Sequence, residues 1–277
     1  MQQFKTLMLR EWLQQRQSWL RIAIAIPLIG WAILYLFVLK LGIPAGFYAN
    51  HQPLFNLAIF GLVGQSSLIA VMALIGVLIH IPSLAYRDID DKSLAFWRSL
   101  PVNDGQAVAA PLLMNAIVLP LLTISTAFAL GLFLSAPLWL SGLQWDHIQS
   151  VLLAFTRVIW GAALGLIWFL PLVLVLAVGN SLVRRWGILL ALIAVYVCNN
   201  MMSNLIGITP IGNQIDVSMS MVSQLLLPFE NDHPSLISSQ LSQLPAYIFN
   251  LHFLQTIVSI IALVAVLVWQ RQRGMTA

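Results

Sequence analysis

Six long apolar stretches, with nearly all the positive charge held in alternate gaps between them, leave this chain few ways to fold. The stretches cover residues 22–41, 57–79, 107–134, 151–178, 187–208 and 247–269. A helix needs about 20 mostly apolar residues to cross about 30 Å of hydrocarbon. Inside lipid every backbone N–H and C=O must find its partner within the protein, so only helices or closed barrels can span. The runs are continuous rather than alternating, which argues against barrel strands. The expected fold is therefore an all-α integral membrane protein with six transmembrane helices.

The basic residues support both the span count and an orientation. Lys5, Arg10, Arg16 and Arg21 precede the first run; Arg87, Lys92 and Arg98 lie in the second gap; Arg184 and Arg185 lie in the fourth; Arg271 and Arg273 follow the last. On the other side Lys40 stands alone, and Arg157 falls inside a run. Cytoplasmic loops carry the excess of Lys and Arg, so both termini are expected in the cytoplasm and the location is a bacterial plasma (inner) membrane. A wrong span count would scramble this bias.

Composition narrows the function classes. Only 8% of the residues are charged, against about 25% in soluble domains, so a single membrane domain over 1–277 is expected, with no separate soluble module. The net charge of +4 is split among short loops, so it reads as a topology signal and no nucleic-acid partner is expected. Cys198 is the only cysteine, which excludes an intrachain disulfide or a CxxC site. The first run follows a basic leader, but residues 22–39 exceed the roughly 7–15 apolar residues of a signal peptide. It reads as a retained anchor. Pro27, Pro120 and Pro171 fall within spans, where prolines often mark kinks.

Residues 1–21 place Phe4, Met8 and Trp12 four apart, with Leu7 beside them and Trp19 further along. This spacing predicts an amphipathic interfacial helix on the inner membrane surface; a basic tail that merely fixes topology is the plainer alternative. The second cytoplasmic loop, 83–104, gathers charge and aromatics: Asp88, Asp90, Asp91, Lys92, Phe96, Trp97, Arg98, Leu100 and Pro101. Asp90 or Asp91 is suited to cap a short helix, and Pro101 blocks its continuation. Leu94, Trp97 and Leu100 would share roughly one face, giving an aromatic anchor with a charged rim. The alternative is that Phe96 and Trp97 lie back on the bilayer interface.

The run Asp91-Lys92-Ser93-Leu94-Ala95-Phe96-Trp97-Arg98-Ser99-Leu100-Pro101-Val102 resembles the cytoplasmic loop of type-two ATP-binding-cassette exporter permeases. The resemblance in motif covers about twenty residues; the resemblance in architecture covers the whole chain. It implies a membrane-spanning permease subunit of an ATP-driven ABC exporter, in which this loop is a coupling helix seated on a separate ATPase. Phe96 and Trp97 would be the anchors, and Asp88, Asp90, Asp91 and Arg98 would pair with charges on the ATPase. The implied partners are two ABC ATPase subunits, a second permease copy or paralogue, and membrane lipid. No cofactor is expected in this chain, because the GxxxxGK[ST] loop that wraps phosphates is absent. ATP and Mg would be bound by the partner, so the chain is not expected to be an enzyme by itself. The resemblance also implies short extracytoplasmic helices between spans 5 and 6, in the segment 209–246.

Other polar features leave their roles open. Arg157 inside the fourth span would line a substrate path, contact lipid phosphate, snorkel to the surface or form a structural pair. Asn200 and Asn204, one helical turn apart beside Asn199 and Ser203, would line the same path or join helices. Gly161 and Gly165 form a common small-residue pair. The five histidines show no ligand spacing, and no metal site is expected. The rival reading is a non-transporting relay or scaffold that couples an ATPase to an extracytoplasmic partner. A secondary transporter would show inverted repeats or more intramembrane charge.

Overall fold

The computed structural model describes residues 2–42, 53–90, 103–139, 145–183, 186–206 and 251–272, together with Gly212 and Asp216. Among the described residues the chain is helical and contains no strand. The helices are α1 (Gln2–Leu41), α2 (Pro53–Asp90), α3 (Asp104–Leu113), α4 (Leu119–Trp139), α5 (Trp145–Leu182), α6 (Gly187–Ile206) and α7 (Leu251–Gln272), with a π-helical turn at Met114–Val118 joining α3 to α4. Six of these stretches are long and apolar enough to cross a membrane, with α3, the π turn and α4 counting as one. The chain is a multi-pass membrane protein.

Two elements run further than the hydropathy pattern marks. The segment 1–21 is not separate from the first span: α1 is one unbroken helix of 40 residues, about 60 Å at 1.5 Å per residue. No glycine or proline occurs before Pro27 to interrupt it. Its first half packs onto α3 and the π turn. Nor does α2 stop at the end of its apolar run. It runs through Pro82 and continues to Asp90. Asp88 and Asp90 thus belong to the C-terminal turn of α2, the end where the helix dipole disfavours acids. By contrast α3 begins on local chemistry. The Asn103 side chain accepts from Gly105 N at 3.0 Å, and Asp104 sits in the first turn, where negative charge is favourable.

Tertiary contacts fix the direction of each pass. Trp19 of α1 meets Gly76 of α2, and Trp31 meets Gly61, so the two helices are antiparallel. The Tyr35 hydroxyl donates to Leu134 O of α4 at 2.5 Å, which sets α1 parallel to α4. The bond from Gln65 Nε2 to Ala127 O, at 2.7 Å, joins α2 to α4. The Trp168–Phe253 ring pair aligns α5 with α7. Helices α2 and α5 form the centre, and α5 is the most enclosed; α6 and α7 pack on its flank and leave most of their surface uncovered. The principal core joins Trp19, Ala23, Ile69, Ala73, Ile124, Val158, Phe169 and Val173. A smaller one gathers Trp31, Leu57, Leu62 and Leu138.

The buried row on α1 explains how one helix serves several partners. Leu7, Glu11, Trp19, Ala23, Pro27 and Trp31 are buried at steps of four residues, with Gln15 partly covered. A four-residue step turns about 40° past a full turn, so the stripe winds round the helix. It meets α3 and the π turn first, and α2 and α4 beyond. The row lies beside the Phe4, Met8 and Trp12 face that the sequence marks as apolar; those three are only half-buried.

Close approach of helices depends on glycine at a few points. A Cβ on Gly76 or Gly61 would lie 3.0 Å from the ring of Trp19 or Trp31 respectively. On Gly187 it would collide with the backbone of Gly179 and Asn180, where α5 turns back into α6. Gly30, in contrast, faces open space. Gly187→Ala is expected to destabilise the protein by about 1–3 kcal/mol through overpacking, whereas Gly30→Ala is expected to be neutral or stabilising by up to about 1 kcal/mol. Thermal unfolding of the two variants in detergent, followed by size-exclusion chromatography, checks the contrast.

Candidate functional site: a polar clasp at the basic end of the bundle

A group of polar contacts between helices lies at the end that carries Lys5, Arg10, Arg16 and Arg21 on α1. Here Asn180 Nδ2 donates to Pro82 O at 2.8 Å, tying the last turns of α5 to α2. Ser181 Oγ lies 2.5 Å from the Gln270 side-chain amide and 2.7 Å from Val178 O, tying α5 to α7. A hydroxyl has one proton. The 2.5 Å separation suits an O–H···O bond and is too short for N–H···O, so Ser181 donates to Gln270 Oε1. Arg271 on α7 approaches Asp104 at the start of α3, at 3.4 Å. That pair is partly exposed and contributes at most about 1 kcal/mol. Trp19 and His80 stack with centroids 6.2 Å apart, closing the space between α1 and α2.

The deepest member of this group is a carboxylate. Glu11 is 1% exposed and Asn115 is fully buried. Asn115 Nδ2 donates to Glu11 Oε2 at 3.2 Å and to Pro111 O at 2.9 Å. Asn115 lies within the π-helical turn, and the turn has an evident cause. Pro120 has no N–H to offer the carbonyl of Ala116 and its ring crowds that carbonyl. A wider turn relieves the crowding, and such turns recur at functional sites. The arrangement is incompletely satisfied, because Asn115 Oδ1 is buried with no hydrogen-bond donor. A buried acceptor left in this way costs about 1–3 kcal/mol.

The residues marked by sequence fall in three places. Asp88 and Asp90 lie in the C-terminal turn of α2. Asp91, Lys92, Phe96, Trp97, Arg98, Leu100 and Pro101 lie outside the described residues. So does the segment 209–246, apart from Gly212 and Asp216. Arg157 is 6% exposed; the bundle encloses it, and it does not snorkel along a lipid-facing surface. Asn200 and Asn204 are exposed on α6. The three therefore do not form one enclosed polar site. Their neighbour Asn199 has a different role, its Oδ1 accepting from Gly212 N at 3.0 Å as the chain leaves α6. Among the described residues no three His, Cys, Asp or Glu side chains gather as a metal site.

Glu11, Asn115, Asn180, Ser181 and Gln270 carry the clasp, and sequence reasoning did not single them out. A signal for Glu11 existed: it falls on the four-residue row that contains Leu7 and Trp19. For Asn115 the signal was an amide within an apolar run, five residues before a proline. Comparison with known proteins adds no identity, since no family model, curated protein or solved structure matches this chain.

Replacing either partner of the buried pair is expected to destabilise the bundle, and replacing both is expected to cost less than the two single effects combined. The coupling expected of two buried side chains in direct contact is about 0.5–3 kcal/mol. A double-mutant cycle of Glu11→Leu and Asn115→Leu, read by helical circular dichroism during unfolding in mixed micelles, measures it.

Proposed function

We propose that this protein is the membrane-spanning permease subunit of an ATP-driven ABC exporter in a bacterial inner membrane, with both termini cytoplasmic. Two separate ATPase subunits bind ATP and Mg, and a second permease copy or a paralogue completes the path. The observation that supports this most is where the Phe-Trp run falls in the chain. Residues 91–102 join α2 to α3, and both helices are tied into the clasp, α2 through Pro82 and α3 through Asp104 and the π turn. A force applied to that loop would enter the bundle through two anchored levers rather than through a slack connection.

In this reading Phe96 and Trp97 seat in a cleft of the ATPase, while Asp91, Lys92, Arg98 and the α2 acids Asp88 and Asp90 form the charged rim. Anchors of this type carry most of the affinity of an interface, while rim charges govern encounter and register. ATP binding draws the ATPases together and shifts the packing of the spans, as a ligand with different affinity for two states must. The basic bias of the α1 N-terminal half and the α7 end supports a cytoplasmic position for the clasp. Arg157, Asn200 and Asn204 remain the candidates for contact with the transported molecule. The first is enclosed by the bundle and the other two lie on the exposed surface of α6.

Trp97→Ala is expected to reduce co-purification of the ATPase at least tenfold while the chain inserts into membranes at wild-type yield. Wild-type co-purification would remove the docking reading. A second check concerns orientation. A reporter fused after residue 277 is expected to be active only as a cytoplasmic marker, and periplasmic activity would reverse the assignment.

A further inference from the structure

We propose that Glu11 and Asn115 form a latch that holds the π-helical turn wound, and that releasing the latch lets the turn become α-helical and move α3 by one residue. The turn contains one residue more than an α-helix would use over the same length. Straightening it pushes α3 outward by about 1.5 Å and rotates it by about 100°. Three observations converge on this segment. The turn sits at Met114–Val118, between α3 and α4, beside the bond that Pro120 removes. Asn115 grips α1 through Glu11 and grips α3 through Pro111 O, so one amide ties the turn and the end of α3 to a neighbouring helix. Its Oδ1 is buried without a donor, so the latched form leaves a polar group unsatisfied that a different register is free to relieve.

The attachments of α3 differ in a way that suits such a step. Its inner end is held by the buried pair, and its outer end carries the partly exposed Asp104–Arg271 contact. An outward shift parts the second cheaply once the first lets go. Helix α3 starts immediately after residues 91–102, so a push on that loop reaches the turn along a helix of ten residues. The latch thus deepens the proposed coupling role and rests on it for its use. The geometry that motivates it does not involve an ATPase.

The test uses accessibility of a single cysteine in the full chain, in membranes and without any ATPase. In a Cys198→Ser background, Ala110→Cys reports on α3, because Ala110 is fully buried and the shift carries it into the half-exposed place that Ala109 now holds. Ala127→Cys, fully buried on α4, reports on the bundle as a whole. Labelling of Ala110→Cys by a small maleimide is expected to rise at least fivefold when Glu11→Leu or Asn115→Leu is added. It is expected to stay at its original rate with Glu11→Gln, whose side-chain carbonyl still accepts from Asn115. Ala127→Cys is expected to stay protected throughout. Protection of Ala110→Cys in both leucine variants would overturn the latch. Labelling of Ala127→Cys alongside it would also overturn the latch, since the pair would then only hold the bundle together. Because no ATPase is present, a failed latch and a failed docking surface give separate results.

Discussion

Backbone amides have no water to turn to inside a bilayer, and this single constraint organises everything else in the molecule. It forces each apolar run into a helix whose own hydrogen bonds are complete. It also removes the usual reason for apolar side chains to cluster, because lipid is as apolar as a leucine. What holds the helices to one another must then be close packing and polar contact. Both are visible. The rings of Trp19 and Trp31 lie against Gly76 and Gly61, and the side-chain amide of Gln65 reaches Ala127 O through the space left by Gly131, where any Cβ would collide with it. These are matched pairs of a large or polar group on one helix and a missing side chain on the next.

Towards the basic end, α1, α2, α3, α5 and α7 are cross-tied by amides, a hydroxyl, a carboxylate and an ion pair. Towards the other end Tyr35 ties α1 to Leu134 O of α4. A bundle is stiff where it is cross-tied. The exception within the braced end is the π turn, where Pro120 denies the helix a hydrogen bond and a buried amide is left half-satisfied. A soft joint within a stiff frame is the physical content of the proposed latch.

Much of the architecture was legible because its causes are local or nearly so. Apolar runs of sufficient length and the alternation of Lys and Arg pointed to six passes, and six helical stretches of that kind are found among the described residues. Boundaries were less legible. The hydropathy signal ends where side chains turn polar, yet α1 runs through polar sequence that holds no glycine or proline, and α2 runs on past Pro82 to Asp90. The Phe4, Met8 and Trp12 periodicity was real, but the fully buried row is the adjacent one, because a helix packed on several partners hides a winding stripe rather than a fixed face.

The amino-acid sequence by itself determined that this chain is helical, that it crosses the membrane repeatedly, and where most of its charge must lie. Those outcomes follow from the energetics of each segment in lipid, independent of its neighbours. Tertiary structure alone decided that Glu11 is enclosed beside Asn115, that Arg157 is buried while Asn200 and Asn204 are exposed, and that Gln270 faces Ser181. A polar residue in an apolar helix announces only that it needs a partner. Which one it finds depends on the rotation and depth of a second helix far away in the chain, and no local pattern encodes that.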